Sequence, residues 1–191
     1  MLVLKKKYYL FVENTREFKL DLIKTREKFN IIYRNQNTKE KIQDLFNYRK
    51  KCAKYGIKFY VANNTSLLIR LRADGLYISS HNKSLLLNAF IKKGFDVIGS
   101  AHNHREIDEK LKQGCKIIIY SRLFETKYSY KKGFLGVPRF NIISFRTRVN
   151  LVPLGGINET NLCKLNNVKS DSFACLSVIK KKPAKFINRL F

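Results

Sequence analysis

Eight short runs rich in β-branched and aromatic residues recur along the chain, and most are spaced widely enough to hold a helix between them. This alternation constrains the fold more than any other feature. The runs are Tyr8 to Glu13, Asn30 to Arg34, Lys58 to Ala62, Gly75 to Ser79, Asp96 to Ser100, Lys116 to Ser121, Asn150 to Gly155 and Phe173 to Val178. Several are apolar at both parities, as in Ile117-Ile118-Ile119. A strand wet on one face would alternate apolar with polar, whereas a strand covered on both faces needs apolar residues on each. That second condition belongs to parallel sheets with helices outside them.

The stretches between the runs carry helical spacing. Phe18, Leu22 and Ile23 come first, followed by Ile42, Leu45 and Phe46, then Leu67, Leu68 and Leu71, then Leu85, Leu86, Ala89 and Phe90, then Ile107 and Leu111. Thr38 ahead of Lys39-Glu40-Lys41, and Asn158 ahead of Glu159-Thr160-Asn161, are expected helix starts, because a short polar side chain satisfies free amides of the first turn. Gly56, Gly94 and Gly114 fall where helices should stop. Pro138 is placed to open the sixth helix. Pro153, inside the seventh run, argues against a regular central strand there. Strand alternating with helix eight times predicts a (β/α)8 TIM-type barrel. The 191 residues lie near the lower end of about 200 for that fold. One domain over residues 1–191 is expected, with 180–191 a basic tail or short last helix around Pro183.

Composition narrows the partners. The chain has 39 Lys and Arg against 14 acids, a formal charge of +25, which raises nucleic acid as a partner. The cations are scattered, however, through Lys24 to Lys28, Arg49 to Lys54, Lys92 to Lys93, Lys110 to Lys116 and Lys180 to Lys185. Most of these positions are ones a helix turns to water, so no specific nucleic-acid binding is expected. Cys52, Cys115, Cys163 and Cys175 form no CxxC pair and read as buried thiols of a reducing compartment. The start, Met1 to Lys7, is too short in apolar residues for a signal peptide, and no run approaches the ~20 residues of a membrane span. A cytoplasmic protein without membrane association is expected.

In such barrels functional residues lie at strand exits. Here those are Glu13-Asn14, Arg34-Asn35-Gln36, Asn63-Asn64, Ser79 to Asn82, Ser100 to His102, Ser121 to Ser129, Gly155 to Asn158, and Ser177. Gly155-Gly156, leaving a strand toward a helix begun near Asn158, would offer bare amides and a helix N-terminus to a phosphate, with Ser177 donating a hydroxyl. Arg34 has the fork to hold a phosphate or pyrophosphate. His81 and His104 lack metal-site spacing and are expected at the rim or in solvent. Tyr8, Tyr33, Tyr60 and Tyr77 are expected in the core or pocket wall.

Five motifs in order resemble one family. Ala73-Asp74-Gly75-Leu76-Tyr77-Ile78, Ser100-Ala101-His102-Asn103 with Glu106, Gly114 through Ser121 with Phe124-Glu125-Thr126-Lys127, Gly155-Gly156-Ile157, and Ser172 to Ile179 are similar to those of the thiamin phosphate synthase and TenI family. The resemblance spans Tyr8 to Ile179. It implies a phosphorylated thiazole or thiamin phosphate as ligand, its phosphate near Gly155, Gly156, Leu176 and Ser177. It also implies a pyrimidine pyrophosphate subsite at Arg34, Gln36, Asn63, Asn82, Ser100 and Lys127, with His102 and Thr126 as catalytic residues.

Departures from the family pattern gather around that pyrophosphate subsite. The synthase's two magnesium-binding aspartates align with Asn63 and Asn82, and a pyrophosphate-binding lysine aligns with Gln36. In the loop after the sixth strand, a threonine and a lysine fall on Tyr128 and Ser129. Magnesium is expected for the synthase reaction, yet no metal ligand set is assigned. The resemblance leaves three readings: a synthase-type transferase with an altered subsite served by Lys127, Lys131 or Lys132; a TenI-like thiazole tautomerase moving a proton through His102; and a barrel that binds thiazole phosphate or thiamin phosphate without turnover. Oligomeric state is not legible.

Overall fold

A computed structural model describes residues 5–16, 18–23, 26–35, 40–126 and 133–176. Eight strands close into a parallel barrel in sequence order. They are β1 (Lys7–Val12), β2 (Phe29–Tyr33), β3 (Lys58–Ala62), β4 (Gly75–Ile78), β5 (Asp96–Ala101), β6 (Ile117–Ser121), β7 (Asn150–Leu154) and β8 (Ser172–Cys175). Five α-helices follow strands on the outside: α1 (Ile42–Lys54), α2 (Thr65–Leu71), α3 (Asn88–Lys92), α4 (His104–Lys112) and α5 (Gly136–Arg146). All eight expected strands form, each within two or three residues of its expected ends.

The strands are apolar at both parities because they feed two cores. Tyr9, Phe11, Ile32, Tyr60, Tyr77, Ile98, Ile119, Val152 and Ala174 fill the barrel interior. The alternate residues, among them Tyr8, Leu10, Phe29, Ile31, Phe59, Ile118 and Phe173, pack outward under the helices with Leu45, Leu68, Ile107 and Phe140. Tyr8, Tyr33, Tyr60 and Tyr77 are all buried, as expected for core and pocket wall. Of the cysteines, Cys52, Cys115 and Cys175 are buried, whereas Cys163 is exposed, contrary to expectation. Among the described residues no helix is long and apolar enough to cross a membrane.

Two expected helices do not form among the described residues. Between β1 and β2 the chain makes only 3-10 turns there, Leu20–Leu22 and Arg26–Lys28. Phe18, Leu20 and Ile23 are all buried, so this segment is pinned along the barrel surface and presents no single helical stripe. After β7, the helix expected at Asn158 is replaced by a 3-10 helix, Leu162–Asn167. The Asn158 carboxamide oxygen instead accepts from the Thr160 amide (2.8 Å) and hydroxyl (2.6 Å). That closes a local turn, which competes with helix formation. Leu162 and Leu165 then bury at a three-residue spacing, the period of a 3-10 helix.

Punctuation elsewhere behaves as read. Gly56, Gly94 and Gly114 all have positive φ just past helix ends, and Ile57, Phe95 and Cys115 donate back to Cys52, Phe90 and Lys110 across them. Pro138 is the third residue of α5, within the first turn, where its missing N–H costs nothing. Thr38, which lies outside the described residues, is not the residue next to α1; that is Lys41, with no side-chain cap. Pro153 does not end β7, contrary to expectation: the register with β6 runs through Tyr120↔Pro153. The missing donor is matched by a thin seam on the other side, where Leu154↔Ala174 is the one residue pair joining β7 to β8.

One lysine of the supposed solvated faces is a core residue. Lys110 on α4 is 0% exposed. Its stem lies where a Cβ on Gly99 would sit, and its ammonium donates to the Asn82 carbonyl (2.6 Å) and the Gln113 side chain (2.8 Å). Burial pushes its pKa down from the usual lysine range, against the pull of Cys115, Glu109 and Glu106.

Candidate functional site

Strand order and parity bring the expected exit residues to one mouth. On β4, the inward Tyr77 phenol hydrogen-bonds Ser100 of β5 and feels the charge of Arg34 after β2. Burial raises the phenol's pKa, while Ser100 and Arg34 pull the other way without cancelling it. Arg34 itself is half-buried, and its amide donates to the Val12 carbonyl (2.9 Å), which fixes the β2 exit against β1. A second knot steadies this side. Glu40 accepts from the Tyr33 hydroxyl (2.7 Å) through one oxygen, and from the Thr15 amide (2.9 Å) and hydroxyl (2.6 Å) through the other.

Asn63 and Asn82 do come together. Asn63, with φ of 54°, a region that asparagine tolerates better than most residues, turns the chain after β3. Its Oδ1 accepts from the Ser79 amide (3.0 Å) and the Asn82 Nδ2 (3.3 Å), and its Nδ2 donates to Ser79 Oγ (3.0 Å). From below, Lys110 and Gln113 Nε2 (3.0 Å) both donate to the Asn82 carbonyl. This set does not suit magnesium, which asks for hard, negatively charged oxygens in octahedral array. The Asn63 oxygen already serves two donors, neither amide brings charge, and a buried ammonium lies underneath. Among the described residues no group of three or more His, Cys, Asp or Glu side chains is placed to hold a metal ion.

At the β5 exit, His102 is organised by Glu106. The carboxylate accepts from the His102 amide (2.7 Å) and lies 2.9 Å from His102 Nδ1. Asn103 caps α4 by accepting from the Glu106 amide (2.9 Å), and Glu106 in return accepts from Asn103 Nδ2 (3.0 Å). This is a variant of the capping box in which the glutamate reaches past the cap to the preceding histidine. The His102 side chain is 46% exposed, so its free ring edge is open to a ligand. His81 and His104 are exposed.

Burial pushes the Glu106 carboxyl up, but the His102 and Asn103 hydrogen bonds outweigh it and hold the group below the usual carboxylate range. A depressed folded-state pKa adds stability above the unfolded value, near 4.3, and that stability is lost as pH falls through the folded value. Glu106→Gln is therefore expected to cost about 1 kcal/mol at pH 7, and the gap to wild type should narrow below about pH 4. Urea midpoints at pH 7 and 3.5 check this; a gap unchanged between them refutes the linkage.

The loops after β6 and β7 pack against each other. Leu123 and Phe124 amides donate to the Leu154 (2.9 Å) and Gly155 (3.0 Å) carbonyls, and Arg122 Nη1 donates to Thr126 Oγ1 (2.9 Å). Gly155 and Gly156 have φ of 101° and 69°. The Leu154 carbonyl faces β6, so the Gly155 amide in the same peptide plane turns toward Ala174 of β8, whereas among the described residues the amides of Gly156 and Ile157 have no acceptor. Consecutive free N–H groups on positive-φ backbone form an anion-binding concavity. The expected helix N-terminus behind them is missing, so the phosphate reading rests on these amides alone. Leu176 packs on the interior cluster at the β8 exit. Gln36, Lys127, Tyr128, Ser129, Lys131, Lys132, Ser177 and the tail from 180 lie outside the described residues.

Sequence reading placed Ser79 at a functional strand exit and Tyr77 in the core or pocket wall, but gave Tyr77 no role at the site and missed Glu40 and Lys110. The inward parity of Tyr77 was a usable signal; Glu40 and Lys110 depend on tertiary contacts.

The protein is thus a TIM-type (β/α)8 barrel with polar strand exits gathered at its C-terminal mouth. The family model described as "Thiamine monophosphate synthase" matches residues 4–179, and the chain belongs to that family. Membership supports a part in thiamin biosynthesis. A thiamine-phosphate synthase of Clostridium perfringens is 26% identical, the match covering 97% of this chain and 96% of that protein. One from Prochlorococcus marinus subsp. pastoris is 25% identical over 71% of this chain but only 39% of its own length, so the chain spans about two fifths of that relative. In structure, the thiamine phosphate pyrophosphorylase of Pyrococcus furiosus superposes with a TM-score of 0.76 at 19% identity, covering 98% of this chain and 94% of that one. At that identity the likeness speaks for the fold.

Proposed function

We propose that this chain is a thiamin phosphate synthase-type transferase, joining a phosphorylated thiazole to a pyrimidine pyrophosphate. The observation that carries the reading is the arrangement at the mouth. Arg34 lies within electrostatic reach of the Tyr77–Ser100 pair on one arc, and the acceptor-free amides of Gly156 and Ile157 stand on another. Two anionic groups, a pyrophosphate and a thiazole phosphate, suit these two arcs. In the reaction the carbon–oxygen bond to pyrophosphate breaks, its electron pair leaving with pyrophosphate. The thiazole nitrogen then attacks the pyrimidine cation to form the new carbon–nitrogen bond. Arg34 screens the charge on the departing group, and Tyr77 and Ser100 supply hydroxyls beside it. Thr126, held by Arg122, lines the loop over the phosphate arc. No step is assigned to a metal, because the Asn63–Asn82 pair does not suit one.

A second reading rests on His102 with Glu106, since a carboxylate-oriented imidazole is also the equipment of a proton-moving isomerase. The assay that separates them uses purified protein with both coupling substrates, with and without magnesium. Thiamin phosphate should form, with a weaker magnesium requirement than a carboxylate-based site would impose. Absence of product under both conditions, together with interconversion of the tautomers of a thiazole carboxylate phosphate, would hand the function to the second reading. Ligand binding with neither reaction would leave only a binding protein.

A further inference from the structure

A cavity of about 540 Å³ opens at the N-terminal end of the barrel, away from the proposed catalytic mouth. In β/α barrels this end ordinarily serves stability. The parity that turns Tyr9, Ile32, Tyr60, Ile98, Val152 and Ala174 into the interior also turns the residues two positions earlier inward. Those are Lys7, Asn30, Lys58, Asp96, Asn150 and Ser172, and all of them line the cavity. No apolar plug seals this end among the described residues.

Three polar groups there are buried and aimed at the cavity. Asn30 is 3% exposed, Ser172 4% and Tyr9 4%. Among the described residues the Asn30 amide and the Ser172 and Tyr9 hydroxyls have no hydrogen-bond partner. They are also not among the side-chain atoms of the described residues that are sealed from solvent without a partner. Their polar atoms therefore face the cavity space and not the protein. The donors run along contiguous strands: Lys7 pairs with Ser172 across β1 and β8, and Asn30 pairs with Lys58 across β2 and β3.

Charge decides the sign of the ligand. The cavity's carboxylate, Asp96, is engaged by Lys58 (2.6 Å) and accepts from the Tyr60 hydroxyl (3.3 Å). Lys7, whose ammonium donates to the Glu27 carbonyl (2.9 Å), and Lys116 leave the lining net positive. We propose that this cavity is a second ligand site, taking a phosphate dianion, free or as a small monoester, on the arc formed by Ser172, Lys7, Asn30 and Lys58. It is independent of the chemistry assigned to the mouth.

Inorganic phosphate titrated into isotope-labelled protein, followed by amide NMR at constant ionic strength, tests this. The Asn30 side-chain resonances and the backbone at residues 7, 58 and 172 should shift saturably. Lys7→Met with Lys116→Met, both at exposed positions and so safe for folding, should weaken that binding at least tenfold, while Arg34→Met leaves it unchanged. Asn30→Leu should abolish it if the variant folds. The proposal is overturned if chloride at equal ionic strength gives the same shifts. It also falls if the double lysine variant binds as wild type does, or if phosphate moves only the resonances of residues 155–157.

Discussion

Gly156→Ala is expected to lower stability by about 3 kcal/mol, and Gly155→Ala by only about 1 kcal/mol. Both residues have positive φ, so each variant bears the strain of an L side chain in left-handed backbone. They differ in what the new methyl meets. At Gly155 it comes to 3.0 Å from Arg122 Cγ, 3.2 Å from its Cβ and 3.3 Å from its Cα, contacts that a shift of a few tenths of an ångström relieves. At Gly156 it runs into the backbone carbonyls of Phe124 and Glu125, and these cannot yield without parting the β6 and β7 loops. For a chain of this size, 3 kcal/mol corresponds to a fall in Tm of roughly 6–12 °C. Thermal melts of the two variants decide it. Equal losses would mean that the tight apposition at Gly156 is not what requires glycine there. The same apposition orders the two amides facing the proposed phosphate, so Gly156→Ala should lose affinity for thiazole phosphate more than Gly155→Ala does.

How much of the fold was open to sequence reading depends on which interaction dominates at each position. The strands were legible because both faces of each are buried in one of two cores, and that leaves a doubled apolar signal such as Ile117-Ile118-Ile119. Helices α1, α2 and α4 were legible for the related reason that one stripe packs on the barrel. The segment at Phe18 to Ile23 looked helical because three apolar residues over six positions fit a stripe. They fit a pinned, irregular cover equally well. Asn158 looked like a cap, yet its carboxamide closed a turn with Thr160; both uses draw on the same short polar side chain. Pro153 argues against a regular strand in sequence, yet a barrel strand can lose one donor where its seam with a neighbour is already short.

At the site, residues fixed by the strand ends came out together: Arg34, Asn63, Asn82, Ser100, His102, Thr126 and the glycine pair all reach the mouth region or its loops. Residues placed by tertiary contacts did not come out. Lys110 is indistinguishable in sequence from its solvated neighbours Lys112 and Lys116. Its burial comes from the missing Cβ at Gly99 and from acceptors supplied by Asn82 and Gln113. The polar first residues of the strands likewise read as ordinary strand starts, and only closure of the barrel turns them into one lined cavity.

Arg34→Met is expected to lower kcat/KM for the coupling reaction by about 10²–10³-fold, with the loss expressed in turnover and in the KM for pyrimidine pyrophosphate. The expectation rests on the proposed coupling reaction and on the asparagine pair that does not suit magnesium. Where a carboxylate pair would gather a dication, Asn63 and Asn82 satisfy each other and Ser79. The charge released with pyrophosphate must then be met by side chains, and Arg34 is placed for it, half-buried at the β2 exit and close enough to influence the Tyr77 phenol. Partial burial matters because a cation screened by less water stabilises a developing anion more strongly. Arg34→Lys keeps the charge but not the bidentate fork, so a smaller loss of about tenfold is expected. The KM for thiazole phosphate should stay within about twofold in both variants, because its phosphate is assigned to the Gly156 and Ile157 amides on the other arc. Equal damage to both substrates would show that Arg34 holds the mouth together and does not bind pyrophosphate. Full activity in the methionine variant would remove it from the mechanism.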